Sequence, residues 1–328
     1  MNQSLPAENL LPEGFLERLR LILPAANYER CVETFYREPA TAFRVNPLKA
    51  AAAQLEEELR TEGFELEPLA WKRDAFVVPG AQRRGLTECA ACREGRLYIQ
   101  NPSSMVPPLV LDPQPHEWIL DLAAAPGGKT LQLAGMMCNQ GKISAVESVR
   151  SRFFRLRANL ETHGVANVKT YVRDGTRVWK HCPELFDRVL LDAPCSSEGR
   201  FNAHEPSTYA YWSKRKIREM QRKQKRLLFS ALQCLKPGGI LVYSTCAFAP
   251  EENEGMIQAL LEKFGEVLHV EEVELPCANV QEGLTRWQGR TWRSELKRAV
   301  RILPDGLMEA FFVCRLRKLE STLEQVQI

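Results

Sequence analysis

From about Pro102 onward, short apolar runs with strand character alternate with segments of helical periodicity, and this alternation constrains the chain more than any other feature. Strands are read at Trp118–Leu122, Ile143–Glu147, Val168–Val172, Arg188–Asp192 and Ile240–Ser244, with helices at Lys129–Met137, Ser151–Thr162 and Lys214–Cys234 between them. Lys236-Pro237-Gly238-Gly239 reads as the stop of the last helix and the turn into the next strand. The apolar run Ala310–Cys314 supplies one further strand. Strand–helix repetition of this kind predicts an α/β fold with a doubly wound parallel sheet, whose ligands bind outside the carboxyl ends of the strands.

The first hundred residues are patterned differently. Helices at Gly14–Leu23, Tyr28–Tyr36 and Ala51–Glu62 mix with short strands such as Ala75–Val78, which is α+β patterning without an evident ligand loop. A boundary near Tyr98–Ser104 divides the chain into a smaller N-terminal domain, residues 1–100, and a larger one, residues 101–328. The 328 residues, 45% of them hydrophobic, suffice for both cores.

The start, Met1-Asn2-Gln3-Ser4-Leu5-Pro6, has no basic stretch followed by an apolar run, and no window reaches about 18 uninterrupted apolar residues. Secretion and a membrane partner are therefore not expected; the expectation is a cytoplasmic protein, and a monomer. Ten cysteines without a regular framework then read as reduced thiols. Cys89-Ala90-Ala91-Cys92 has the spacing of half a zinc site, but no second pair follows it, so no metal is expected.

The loop after the first strand of the alternating region is Asp121-Leu122-Ala123-Ala124-Ala125-Pro126-Gly127-Gly128-Lys129-Thr130. Small residues let a ligand approach the backbone, and the helix that follows offers free N–H groups. Gly128-Lys129-Thr130 matches the tail of a phosphate-binding P-loop. Against that reading, the position of the first P-loop glycine holds Ala123, and Pro126 removes a backbone donor. Glu147, Asp174 and Asp192 end the second, third and fourth strands as Asp121 ends the first. Single acids usually cap turns; four in succession suit a ligand with a ribose, a base and a cationic end better than a triphosphate.

Two cysteines follow strand ends, in Asp192-Ala193-Pro194-Cys195-Ser196-Ser197 and in Tyr243-Ser244-Thr245-Cys246, so two thiols are expected to face one pocket. Charge is uneven despite a net +3: between Ser213 and Arg226 the lysines and arginines face the single acid Glu219, directly after Tyr209, Tyr211 and Trp212. Ile217, Met220, Leu227 and Leu228 mark a core-facing stripe, so this segment is either a solvated helix face or a surface for a phosphate backbone and unstacked bases.

These motifs together resemble the RNA cytosine-5 methyltransferases of the NOL1/NOP2/Sun family, which include the bacterial RsmB/RsmF-like rRNA enzymes. The resemblance covers almost the whole chain. It is carried by Asp121–Thr130, by Asp192-Ala193-Pro194-Cys195-Ser196-Ser197-Glu198-Gly199, by Ser244-Thr245-Cys246 followed by Glu251-Glu252-Asn253-Glu254, and by Arg44-Val45-Asn46 in the front part. It implies a Rossmann-like S-adenosylmethionine-dependent methyltransferase domain behind a small RNA-contacting α+β domain. It further implies that Ala123, Ala124, Ala125, Pro126, Gly127, Gly128 and Lys129 hold the methionine part of the cofactor, Glu147 its ribose and Asp174 its adenine end, with Arg152 and Asp192 also on the cofactor side. Where many relatives carry a basic pair before Asp-Pro, this chain has Arg200-Phe201-Asn202-Ala203-His204-Glu205-Pro206. The chain stops at Ile328 without a counterpart of the C-terminal RNA-binding module of some relatives, which shifts the expected RNA docking to the front domain and the basic segments.

Methylation at carbon 5 of cytosine needs temporary addition at carbon 6, and a thiolate suits that step. The resemblance assigns the attack to Cys246 and the release to Cys195, whereas a Pro-Cys after a strand, as in the DNA cytosine methyltransferases, leaves Cys195 open as the nucleophile. Asp192 is placed to hydrogen-bond the N3 and amino edge of the base, and Lys129 to support Asp192. The expected substrate is an unpaired cytosine in ribosomal or transfer RNA. The alternative is a non-catalytic RNA-binding or ribosome-assembly factor that keeps the fold.

Overall fold

A computed structural model of the chain describes residues 10–38, 40–275 and 277–325; the opening segment Met1–Pro6 and the terminal Ile328 lie outside the described residues. Helices α1 (Glu13–Ile22) and α2 (Ala25–Thr34) each begin directly after a proline, Pro12 and Pro24, whose fixed φ suits a helix entry. Strands β1 (Thr41–Val45), β2 (Glu67–Pro68), β3 (Ala75–Val78) and β4 (Leu97–Ile99) form an antiparallel sheet in the order β2-β3-β1-β4. Helix α3 (Ala52–Thr61) lays Leu55 and Leu59 on its Phe43, Phe76 and Val78, and the short α4 (Arg83–Glu88) and α5 (Ala90–Arg93) close the unit.

The larger sheet follows α6 (Pro102–Leu111). Its elements are β5 (Trp118–Asp121), α7 (Gly128–Met136), β6 (Lys142–Glu147), α8 (Arg150–Thr162), β7 (Val168–Val172), β8 (Phe186–Asp192), α9 (Lys214–Cys234), β9 (Leu235–Thr245), α10 (Glu254–Phe264), β10 (Leu268–Glu271), β11 (Val280–Glu282), the small hairpin β12 (Arg286–Trp287) and β13 (Arg290–Thr291), β14 (Val300–Ile302) and β15 (Phe311–Lys318). The strand order is β11-β14-β15-β9-β8-β5-β6-β7, with β10 also paired to β15. Strands β5 to β9 run parallel and β15 runs antiparallel to β9. This is the doubly wound α/β architecture expected from the alternation, in the Rossmann-like form that the resemblance implies, and the order reverses between β5 and β8, where such a sheet opens a ligand crevice.

Strand alternation divides the core cleanly. Leu120, Val189, Leu191 and Leu241 face Leu227, Leu228 and Ala231 of α9 together with Ile257 and Leu260 of α10. Ile119, Leu190 and Val242 face the other way, onto Val106 and Leu111 of α6 and Leu133 and Ala134 of α7. Each such side chain contributes about 1.5–3 kcal/mol by leaving water, so the strand ends that carry the site are anchored from both faces.

Two features differ from the sequence reading. Lys236-Pro237-Gly238-Gly239 does not stop a helix: α9 ends at Cys234, and Leu235 already pairs with Phe186. The pairing then resumes at Arg188 and Ile240, so these four residues form an irregular excursion inside β9, with Gly238 at φ +79°. In addition, Phe15, Leu19, Val32 and Phe35 of the front segment share a core with Phe201, Phe248 and Leu303, not with the small sheet.

Candidate active site

The carboxyl ends of the parallel strands open onto a cavity of about 680 Å³, lined by the β5–α7 loop, Glu147, Asp174, Asp192, Cys195 and Cys246. In the loop the Ala125–Pro126 peptide is cis, and Gly127 takes φ +112°, where a side chain is strained. A Cβ on Gly128 would stand 2.7 Å from the Tyr98 ring. The two glycines thus answer to backbone conformation and to packing of the front sheet, a cause separate from close approach of a ligand. Arg44 supports the same spot: its Nη2 donates to Gly128 O at 2.9 Å and its Nε to Gln100 Oε1 at 2.9 Å, fully buried beneath Tyr98. Asn46 donates to Gly95 O and to His163 O at 2.8 and 2.9 Å. The Arg44-Val45-Asn46 motif therefore fastens the small sheet to the larger unit.

The four strand-end acids divide by role. Asp121 is buried at the base of the loop and accepts from Thr130 Oγ1 at 2.6 Å, and burial pushes its carboxyl up to about 6. Glu147 is buried at the cavity wall; Oε1 accepts from Val149 N at 2.8 Å, and Oε2 lies 3.6 Å from Arg152 Nη1. Arg152 also donates to Ala125 O at 2.6 Å, tying α8 to the loop. Asp174 lies just beyond β7, exposed, where Oδ1 caps the following turn through Thr176 N at 3.0 Å. Asp192 is held from both sides, by Lys129 Nζ at 2.7 Å on Oδ2 and by Ser244 Oγ at 2.9 Å on Oδ1. Lys129 donates in addition to Ser104 Oγ at 2.7 Å and sits 5.3 Å above the Phe311 ring.

The two thiols meet at the cavity floor with Cys195 Sγ and Cys246 Sγ 3.3 Å apart. The hydrogen bond shared by the two sulfurs, which either can donate, lowers one thiol of the pair, and the nearby Arg200 guanidinium favours Cys246 as that one. The same bond, with burial, pushes Cys195 well up. A thiolate at Cys246 beside a neutral thiol at Cys195 is the arrangement these shifts favour. Arg200 also reaches Glu309 at 3.3 Å, while the loop behind it turns inward: Phe201 packs 4.8 Å from Phe15, and Ala203 N donates to Phe35 O at 2.8 Å.

The sequence alone does not single out Ser104, Ser244, Arg200 or Glu309 as parts of the site. Asn101 caps α6 ahead of Pro102, a recognisable helix start, and this is the one signal that flags the Ser104 segment. On α9, Lys214, Arg215, Arg218, Arg222, Lys225 and Arg226 are exposed on one arc while Ile217, Gln224 and Leu228 are buried on another, and Lys223 lines the cavity. Cys89 Sγ accepts from Cys92 N at 3.4 Å and caps α5, and among the described residues no group of three or more metal-binding side chains occurs.

Residues 108–317 match the family model described as 16S rRNA methyltransferase RsmB/F, and residues 11–102 match the N-terminal domain of 16S rRNA methyltransferase RsmF. The chain is 40% identical over 284 residues to the tRNA (cytosine(49)-C(5))-methyltransferase of Pyrococcus abyssi, covering 86% of this chain and 89% of that protein. It is 36% identical over 322 residues to ribosomal RNA small subunit methyltransferase F of Vibrio campbellii, covering 95% of this chain but 64% of that longer relative. A solved methyltransferase homolog from Pyrococcus horikoshii superposes with a TM-score of 0.79 at 34% identity, over 94% of this chain and all of that one. The chain belongs to the RsmB/F family of Sun-type RNA cytosine-5 methyltransferases.

Proposed function

We propose that this protein methylates carbon 5 of one cytosine in ribosomal or transfer RNA, with S-adenosylmethionine as methyl donor, through a covalent bond between Cys246 and the base. The observation that carries the reading is the pair of thiols at 3.3 Å beside Asp192, one lowered toward neutrality and the other raised. The substrates named for the relatives, a tRNA cytosine and small-subunit rRNA, supply the choice of RNA.

The donor set fits the cofactor. Ala123 to Pro126 and Gly128 offer a side-chain-poor wall, while Gly127 turns toward Leu156 and Asn159 of α8; Lys129 closes the wall, buried Glu147 faces the cavity where a ribose diol needs an acceptor, and Asp174 stands farther along the rim toward an adenine. Arg152 holds the loop through Ala125 O. S-adenosylmethionine, when bound, supplies an electrophilic methyl group on its sulfonium. Cys246 as thiolate adds to carbon 6, and the displaced electron pair makes carbon 5 nucleophilic. Asp192, fixed by Lys129 and Ser244, accepts from the amino edge of the base, and the Lys129 ammonium beside it counters the negative charge that develops in the ring. After methyl transfer the carbon 5 proton passes to water reaching the cavity, its electron pair restores the C5–C6 double bond, and the S–C6 bond breaks to return Cys246 as thiolate, with the neutral Cys195 thiol donating a hydrogen bond to the departing sulfur.

The exposed cationic arc of α9 supports the choice of a polyanionic substrate, because nothing apolar there needs covering and phosphates match its charge. No helix among the described residues is long and apolar enough to cross a membrane, and the setting proposed for this RNA chemistry is the cytoplasm. Bisulfite mapping of total RNA from cells with and without the gene tests the function: loss of one protected cytosine supports it, and an unchanged map contradicts it.

A further inference from the structure

The two cysteine motifs are cross-connected through buried carboxyl groups. Glu198 sits three residues after Cys195 and is 1% exposed, yet its Oε2 accepts from Phe248 N and Ala249 N, at 2.9 and 2.8 Å, in the segment after Cys246. Its Oε1 accepts from Trp212 Nε1 at 2.8 Å. In the opposite direction, Glu252 belongs to the segment after Cys246, and its Oε2 accepts from Ser196 N, next to Cys195, at 2.9 Å. Gln224 Nε2 of α9 completes this hold, donating to Glu252 Oε2 at 2.8 Å and to Pro194 O at 2.9 Å, so both sides of Cys195 are tied down. Gly199 N donates to Cys246 O at 2.9 Å, a third link between the loops.

Hydrogen bonds to backbone and neutral side chains, with no direct ion pair among the described residues, hold both acids in place. Glu252 Oε1 is buried without a partner among the described residues, and burial together with Glu198 pushes the Glu252 carboxyl up to about 8. A buried carboxyl group of this kind costs stability unless it organises something. What it organises is the backbone that carries the other motif's thiol.

We propose that Glu198 and Glu252 are reciprocal positioning residues: Glu198, carried on the Cys195 loop, sets Cys246 for attack on the base, and Glu252, carried on the Cys246 segment, sets Cys195 for release. The inference rests on the cysteine roles proposed above. It predicts that removing either acid impairs the step performed by the distant thiol, and not the step of the thiol in its own motif.

The test follows formation and decay of the RNA–protein adduct on denaturing gels for Glu198→Ala and Glu252→Ala, with Cys195→Ala run alongside. Glu198→Ala is expected to form adduct about tenfold or more slowly, a scale consistent with displacement of a reacting group by a fraction of an ångström. Glu252→Ala is expected to form adduct readily and to hold it, as Cys195→Ala does. Glu252→Gln keeps an acceptor for Ser196 N–H, and it restores release. Glu198→Gln restores attack less well, because its amide sets an N–H against the Trp212 indole donor. Thermal unfolding and S-adenosylmethionine binding of each variant identify any that fail to fold; Gln224→Met, which removes the donor to Pro194 O and to Glu252 Oε2 but leaves the bond from Ser196 N to Glu252, then stands in for Glu252→Ala and is expected to accumulate adduct. Equal slowing of formation and release in both variants overturns the proposal, as does normal release in Glu252→Ala or Gln224→Met when Cys195→Ala traps adduct. Absence of adduct in Cys195→Ala contradicts the cysteine roles themselves.

Discussion

Lys129 Nζ and Asp192 Oδ2 lie 2.7 Å apart although one opens α7 and the other ends β8, and Ser104 Oγ shares the same ammonium group at 2.7 Å. The pair joins the β5–α7 loop, the proposed seat of the cofactor, to the β8 end, the proposed seat of the base, so its integrity is expected to matter to both halves of the reaction. Lys129→Met retains the aliphatic stem but leaves the Asp192 carboxylate with Ser244 as its remaining donor. Loss of about 1–3 kcal/mol of stability is expected, since the pair is partly screened, and urea denaturation of the two proteins measures it. An unchanged midpoint contradicts a structural contribution from this pair.

The front sheet is held to the site through Arg44. Its buried guanidinium spans Gln100 and Gly128, so Arg44→Leu removes the side-chain donor to the Gly128 carbonyl and leaves the buried Gln100 Oε1 without its Arg44 donor. The expected cost is about 2–4 kcal/mol, accompanied by weaker S-adenosylmethionine binding because the loop loses its outer support. Calorimetry of cofactor binding beside a thermal melt checks both parts; a large stability loss with unchanged affinity contradicts the link to the loop.

These two residues show what the sequence discloses and what it does not. The strands, the helices and the acids at Glu147, Asp174 and Asp192 are legible because periodicity and loop position are local properties of the chain. The partners of Lys129 come from α6, β8 and the ring of Phe311, segments whose approach depends on the whole topology. No local pattern announces that Gly128 is small for the sake of Tyr98, or that Phe15 of α1 packs on Phe201 and Phe248 far along the chain. Pro237, Gly238 and Gly239 mislead for the opposite reason: they are strong turn residues, but here the turn is an excursion within one strand.

Under the proposed mechanism the lowered Cys246 thiol is expected to make adduct formation pH-dependent. Thiolate is the reactive form, so the single-turnover rate of adduct formation rises with pH through about 7 and then levels. Arg200 favours the thiolate by its charge, and Arg200→Gln moves the midpoint upward and leaves the alkaline plateau in place. Quenched-flow profiles between about pH 5.5 and about pH 9 distinguish this from a flat profile, which contradicts a titrating thiol.

The exposed charge on α9 is proposed to meet RNA. Arg218→Glu combined with Arg222→Glu alters exposed positions opposite the core stripe, so folding is expected to stay within about 0.5 kcal/mol of the parent. RNA affinity falls, and the slope of log K against log salt becomes shallower by about 0.7 for each single-strand phosphate that the arginines no longer neutralise. A parallel downward shift of the salt plot with no change of slope shows that these arginines do not meet phosphates.

The central claim, that Cys246 makes the bond to cytosine and Cys195 helps to break it, is tested most directly by incubating Cys246→Ala and Cys195→Ala with RNA and S-adenosylmethionine and resolving the products on a denaturing gel. The account predicts no adduct and a loss of methylation on the order of a thousandfold or more for Cys246→Ala, and a persistent, slowly migrating RNA–protein band for Cys195→Ala. A persistent band from Cys246→Ala and none from Cys195→Ala contradicts it and reverses the roles of the two thiols.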